Sequence, residues 1–255
     1  MLQNGKFLAF DTSTDVMSVA VTDGTRVWQH TGPGGAKAST TLIPAILALL
    51  RDAGVSLGDL QAIAFGRGPG SFTGLRTACA VAQGLAFGAN AGEGVPVLPI
   101  DTLLAVAEEA KFQNKANHFE ALQITALLDA RMDEMYVQRF SCVDGALAPL
   151  GEAELIRPED LEVRDSELQD KTLYAGNVFE VYPGRLPAGL TSFTCLPTAT
   201  AMLRLAPDMA ARGLCVAAAQ ALPLYVRDKV AQTTEERDRV KAVKLLAQTA
   251  GCMTP

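Results

Sequence analysis

Residues Gly66 to Arg76 read Gly-Arg-Gly-Pro-Gly-Ser-Phe-Thr-Gly-Leu-Arg, and few backbones accommodate such a run. Immediately before it, Leu60 to Phe65 has the apolar composition of a buried strand. Immediately after it, Leu75, Ala78, Cys79, Ala82, Leu85 and Ala86 recur at the spacing of one helical face. Ser71 is placed to cap that helix, its hydroxyl accepting from an otherwise unpaired amide one turn on. Strand, glycine turn and open helix N-terminus together make a geometry that binds anions. The Gly-Lys-Ser ending of a Walker A loop is missing, and so is a strict GxGxxG. A tight strand-to-helix turn with no ligand is the plainer alternative.

The rest of the chain excludes several classes. A net charge of −6 argues against a free-standing nucleic-acid binder, so contact with any nucleic acid is expected only through partners. The five cysteines (Cys79, Cys142, Cys195, Cys215, Cys252) are scattered and form no CxxC pair, which signals neither a zinc site nor a disulfide framework. No apolar run reaches the roughly 18 residues of a membrane span, and the chain reads as cytoplasmic.

Periodicity divides the chain into three parts. In residues 1–103, strands over Lys6 to Asp11, Val16 to Thr22 and Arg26 to Thr31 form a meander, with Asp23-Gly24 as a hairpin turn. A helix from Thr41 to Ala53 follows, its start set by Pro44, which belongs in a first turn, and its end by Gly54. Then come the strand near Ile63, the glycine loop, its helix, and a strand at Val95 to Ile100. Residues 104–232 repeat the order less cleanly. After a helix from Thr102 to Lys111 and a polar linker ending at His118, strands are expected over Leu122 to Leu128, Glu134 to Phe140 and Ala146 to Leu155. A short helix after Pro158, a strand at Lys171 to Tyr174 and a helix from Ala199 to Arg212 complete this unit. In residues 233–255, Thr233 and Glu236 fit a capping box ahead of a charged helix.

Two groups of residues invite a functional reading. Asp129, Arg131, Asp133 and Glu134 form a charged turn, either an acid–base site or a solvated turn held by its own ion pairs. On the helix after the loop, Gly74, Ala78 and Ala82 make one small-residue stripe and Ala80, Gly84 and Gly88 a second. Small side chains let another helix approach closely. Two such stripes, beside Leu42, Ile46 and Leu49 on the neighbouring helix, leave more apolar surface than one domain buries. The expected partner contacts are therefore Leu42, Ile46, Leu49, Gly74, Thr77, Ala78 and Val81.

Leu8-Ala9-Phe10-Asp11-Thr12-Ser13-Thr14 and the glycine loop, followed by Leu128 to Tyr136, Tyr174-Ala175-Gly176-Asn177 and Pro223-Leu224-Tyr225-Val226-Arg227, resemble the TsaB (YeaZ) family in that order. The resemblance spans roughly residues 6 to 237. It implies an α/β chain of the actin/hexokinase-like (ASKHA) fold, two duplicated units of β-meander plus helices side by side. It also implies a non-catalytic scaffold of the enzyme that makes threonylcarbamoyladenosine in tRNA: a heterodimer with TsaD, contact with TsaE, and a homodimer when alone. No cofactor is implied for the isolated chain, and ATP or ADP only in complex with partners.

The same resemblance bears on the candidate sites. Asp11, Thr12 and Ser13, with Gly68, Pro69, Gly70, Ser71, Phe72, Thr73, Gly74 and Arg76, become a vestigial phosphate site. The alternative is a hairpin that uses its short polar side chains for itself. The charged turn becomes a family feature facing the interdomain cleft. TsaD carries His-x-x-x-His at the start of its first long helix, where imidazoles one turn apart hold a metal. The matching positions here are Ala38 and Leu42, so no metal site is expected. Two other readings remain, an ATP-dependent small-molecule kinase of the same fold and, more distantly, a metallopeptidase.

Overall fold

Two sheets with the same internal order organise the chain. The computed structural model describes residues 5–89, 94–114, 123–163 and 171–227. In the first sheet, β1 (Phe7–Asp11), β2 (Val16–Thr22) and β3 (Val27–Pro33) form an antiparallel meander. On the other side of β1 lie β4 (Ala62–Gly68) and then β5 (Val97–Asp101), both parallel to it, in the order β3-β2-β1-β4-β5. The central strands are buried over nearly their whole length, as parallel strands covered on both faces must be, whereas β3 is an exposed edge.

The second sheet repeats this pattern. β6 (Gln123–Arg131), β7 (Glu134–Val143) and β8 (Ala146–Pro149) form the meander, and β10 (Thr172–Gly176) and β11 (Ser192–Thr194) run parallel beside β6. The single strand expected over Ala146 to Leu155 is broken in two. β9 (Glu154–Ile156) pairs back onto β7 by itself. The short helix after Pro158 is one 3-10 turn, Pro158–Asp160.

Helices α1 (Ala38–Ala53) and α2 (Phe72–Gly88) cover one face of the first sheet. Both predicted caps are present: Gly54 sits at φ 65°, and the Ser71 hydroxyl accepts from the Gly74 amide. The start of α1 is corrected, because the helix begins three residues before Thr41 and takes Pro44 into its second turn. Pro44 and Thr40, whose carbonyl loses its usual partner, both lie on the exposed side, where that carbonyl is open to solvent.

Of the remaining long helices, one crosses to the sheet of the other unit. Helix α3 (Thr102–Asn114) packs on the second sheet, while α5 (Ala199–Ala211), far beyond the boundary expected at residue 103, packs on the open face of the first. Phe7, Ala9, Leu98 and Ile100 thus share a core with Ala199, Met202 and Leu203. Between the two helices lies a buried ion network. Arg204 donates to Glu108 at 3.1 Å and to Glu109 at 2.6 Å, and Thr198 also donates to Glu109. A single turn, α4 (Val178–Val181), closes the outer face of the second sheet with Leu127, Met135 and Tyr174. His118 and the expected helix in 233–255 lie outside the described residues.

Candidate functional site

The duplicated strands bring two tight turns face to face: the β1–β2 turn, Thr12 to Asp15, and the β6–β7 turn, Arg131 to Asp133. Between them, with the N-terminus of α2 as a third wall, is a cleft of about 360 Å³. Ser13, Gly70, Ser71, Phe72 and Thr73 line it from the first half, and Asp129, Arg131, Tyr136 and Asn177 from the second. The family loop and the charged turn, far apart in sequence, therefore meet.

Within the first half the two loops are spent on each other. The Ser71 amide donates to the Ser13 carbonyl at 2.7 Å, and the Thr12 hydroxyl donates to the Gly74 carbonyl at 2.7 Å. A Cβ at Gly74 would stand 1.8 Å from the Thr12 carbonyl oxygen, and one at Gly70 would stand 2.6 Å from Ser13 Cβ. Glycine is required at both because backbone lies against backbone. Gly68 (φ 125°) and Pro69 are buried under this contact.

Asp11 does not reach the cleft. It is fully buried, and its Oδ1 accepts from the Ser13 amide at 2.8 Å and hydroxyl at 2.6 Å. Its Oδ2 is pressed over Gly66 with no hydrogen-bond partner. Burial pushes its pKa up to about 6, against the lowering effect of the Ser13 bonds.

In the charged turn the carboxylates serve as ties. Arg131 bonds Asp15 across the cleft at 2.5 Å and lies 3.3 Å from Asp129. Asp133 pairs with Arg185, and Glu134 with Arg227. Asp129 Oδ1 receives the Arg131 amide and lies 2.7 Å from the Tyr182 hydroxyl, whose pKa is raised by burial and by this carboxylate. Arg131, Met132 and Asp133 all adopt left-handed backbone, at φ 62°, 57° and 60°. For residues with a Cβ this costs roughly 1 kcal/mol or more apiece, so the surrounding bonds must over-determine the turn. Residue composition singled out the turn but not its partners. Asp15, Tyr182 and Arg185 carry no local signal, and Asn177, Tyr225 and Arg227 stood out only as parts of motifs.

A family model described as "TsaD: tRNA N6-adenosine threonylcarbamoyltransferase" matches residues 32–251. The "tRNA threonylcarbamoyladenosine biosynthesis protein TsaB" of Escherichia coli K12 is 33% identical over 89% of this chain and 96% of its own. Its counterpart in Haemophilus influenzae is 35% identical over 90% and 96%. The solved structure "YeaZ from Pseudomonas aeruginosa" superposes with a TM-score of 0.75 at 36% identity, covering 87% of this chain and 99% of that one. The chain belongs to the TsaB family.

The two repeated sheets are accordingly those of the ASKHA fold. Set in a TsaB protein, the inward and outward faces of α1 and α2 take on a particular interest, and here the expected contact residues need correction. Leu42, Ile46 and Ala78 are completely buried and Leu49 nearly so, in one core with Met17, Val19 and Phe65. Gly74 is held against Thr12. These side chains face the protein's own sheet, so Ala78→Arg would test folding rather than partnership. Thr77 and Val81 are half-buried on the flank.

The outward face of the same helices presents Ile43 and Leu47 from α1, at 42% and 51% exposure. From α2 it presents Ala80, Gly84, Gly88 and Phe87, the last 73% exposed. Sequence periodicity found both stripes of α2 and assigned the wrong one outward. Ala38 and Leu42, the positions matching the paired histidines of TsaD, are both fully buried. Among the described residues no three metal-ligating side chains cluster, and no helix is long and apolar enough to cross a membrane.

Proposed function

We propose that this chain acts in threonylcarbamoyladenosine synthesis on tRNA as a non-catalytic scaffold, pairing with TsaD through the outward face of α1 and α2 and contacting TsaE in the assembled complex. The observation that carries this reading is the exposed apolar face. Ile43, Leu47 and Phe87 are exposed, and a Cβ added at Gly84 or Gly88 of α2 would meet nothing within 4 Å, so a second helix pair can approach closely. The cleft supports a scaffold over a kinase. Asp11, the carboxylate that a kinase of this fold would turn toward a metal, is buried under Gly66, and the amides of Ser13 and Ser71 are already engaged. Nucleotide, on this reading, enters only with partners, the same face closes a homodimer when TsaD is absent, and the cytoplasm is the working compartment.

Leu47→Arg is expected to abolish the heterodimer with TsaD in size-exclusion chromatography while leaving the far-UV spectrum and melting temperature of the lone chain unchanged. A guanidinium brought into an apolar helix contact without a partner costs several kcal/mol, enough to dissolve a micromolar complex. Threonylcarbamoyladenosine in cellular tRNA should fall accordingly. An intact heterodimer with Leu47→Arg, and again with Ile43→Arg, would place the partner elsewhere.

A further inference from the structure

Among the described residues the cleft is bridged in two ways, and their strengths differ. One is the Arg131–Asp15 pair, whose side chains are 67% and 79% exposed. Ion pairs as open as this contribute little and are screened by salt. The other is the extended segment 221–227, which is fixed to both halves. On the first half, the Ala221 carbonyl accepts from Cys79 Sγ and from Gln83 Nε2 at 2.9 Å. The Leu224 amide donates to the Arg67 carbonyl at 2.7 Å, and the Leu224 carbonyl oxygen lies 2.4 Å from where a Cβ on Gly68 would stand. Tyr225 packs on Phe72 with ring centroids 5.2 Å apart, and the Arg76 guanidinium lies 3.7 Å from the centre of the Phe72 ring.

On the second half, Val226 packs into the core between α3 and the sheet, and Arg227 reaches the strained turn. Its guanidinium donates to the Ala130 and Arg131 carbonyls at 3.1 and 3.3 Å, to Glu134 at 2.5 Å, and contacts the Met132 thioether. The Arg227 side chain is only 13% exposed, so these bonds are little weakened by solvent. Three consecutive left-handed residues are thus capped by one side chain that belongs to neither strand of the hairpin.

We infer that residues 221–227 are a strap that sets the opening of the interdomain cleft, with Tyr225 its anchor on the first half and Arg227 its pin on the second. Loss of the pin frees the turn to relax and the two halves to part. The Arg131–Asp15 pair then follows the strap rather than closing the cleft itself.

The test is a distance across the cleft, read by single-molecule energy transfer between fluorophores carried on unnatural amino acids at Thr73 and Val181, which line opposite walls. Arg227→Gln is expected to add a long-distance population that is absent from the parent, while Arg131→Gln leaves the distribution unchanged at moderate salt. Tyr225→Leu detaches the other end and should reproduce the Arg227→Gln result. It also decides the matter if Arg227→Gln does not fold. An unchanged distance in every folded strap variant would overturn the inference, and so would opening by Arg131→Gln alone.

Discussion

Gly74→Ala should be the most damaging single methyl group that can be added to this protein. The new Cβ would lie 1.8 Å from the Thr12 carbonyl oxygen, and this neighbour is backbone, fixed in turn by the Thr12 hydroxyl bond to the Gly74 carbonyl. Neither partner can rotate away, so α2 must lift off the β1–β2 turn and take the core contacts of Leu75 and Ala78 with it. A loss above about 4 kcal/mol is expected, in the range reached only by such mechanisms. Thermal denaturation should show it as a fall of about 10 °C or more, or as insoluble expression. Gly84→Ala is the matched control on the same helix. Its Cβ meets nothing within 4 Å, and the change should be neutral or stabilise by up to about 1 kcal/mol. Similar melting temperatures for the two variants would refute the packing described for the loop.

The second large effect has the opposite sign. Asp11→Asn should stabilise the chain at pH 7, because the native carboxylate carries its charge in full burial. With the folded pKa raised from 3.8 to about 6, the folded state binds the proton more tightly than the unfolded state does. Stability from this group is therefore complete below the unfolded value and is lost as pH rises through the folded one, between about pH 4 and 6. Above that window the cost is about 3 kcal/mol, from a shift of roughly two units. Asparagine keeps an oxygen for the Ser13 amide and hydroxyl and removes the charge. Urea denaturation at pH 7 should show a gain of about 1–3 kcal/mol, and the variant should lack the parent's decline between pH 4 and 6. The same pH dependence in both proteins between pH 4 and 6 would mean that Asp11 is not charged in burial.

Much of the first half was legible because local signals there agree. Apolar runs, Asp23-Gly24, Gly54 and Ser71 each specify their own neighbourhood, and the strands and caps follow. Pro44 misled because its lost hydrogen bond faces water, a fact that depends on which side of α1 meets the sheet. The same ignorance of the buried side exchanged the roles of Ala78 and Ala80. Both stripes consist of small residues, and only tertiary packing distinguishes them. The β6–β7 turn lacks the Asn-Gly pair that normally announces left-handed backbone. What holds it is Arg227, some ninety residues away, and no window along the chain contains both. The destination of α5 was hidden for a similar reason: an amphipathic helix advertises an apolar face without naming the sheet that will receive it.

The crossing of α5 to the first sheet has a consequence for synthesis on the ribosome. A nascent chain that has emerged as far as Asp101 has all five strands of its first sheet, yet the layer meant to cover Phe7, Ala9, Leu98 and Ile100 is encoded a hundred residues later. Until Ala199 to Leu203 arrive, that face is wet and adhesive, a target for chaperones or for other nascent chains. Nor can the gene be cut at the visible midpoint to yield two independent halves, since each would expose the surface that the other was to cover. Two sheets that look like separate modules thus mature as one cooperative body, and only once Ala199 to Leu203 have emerged.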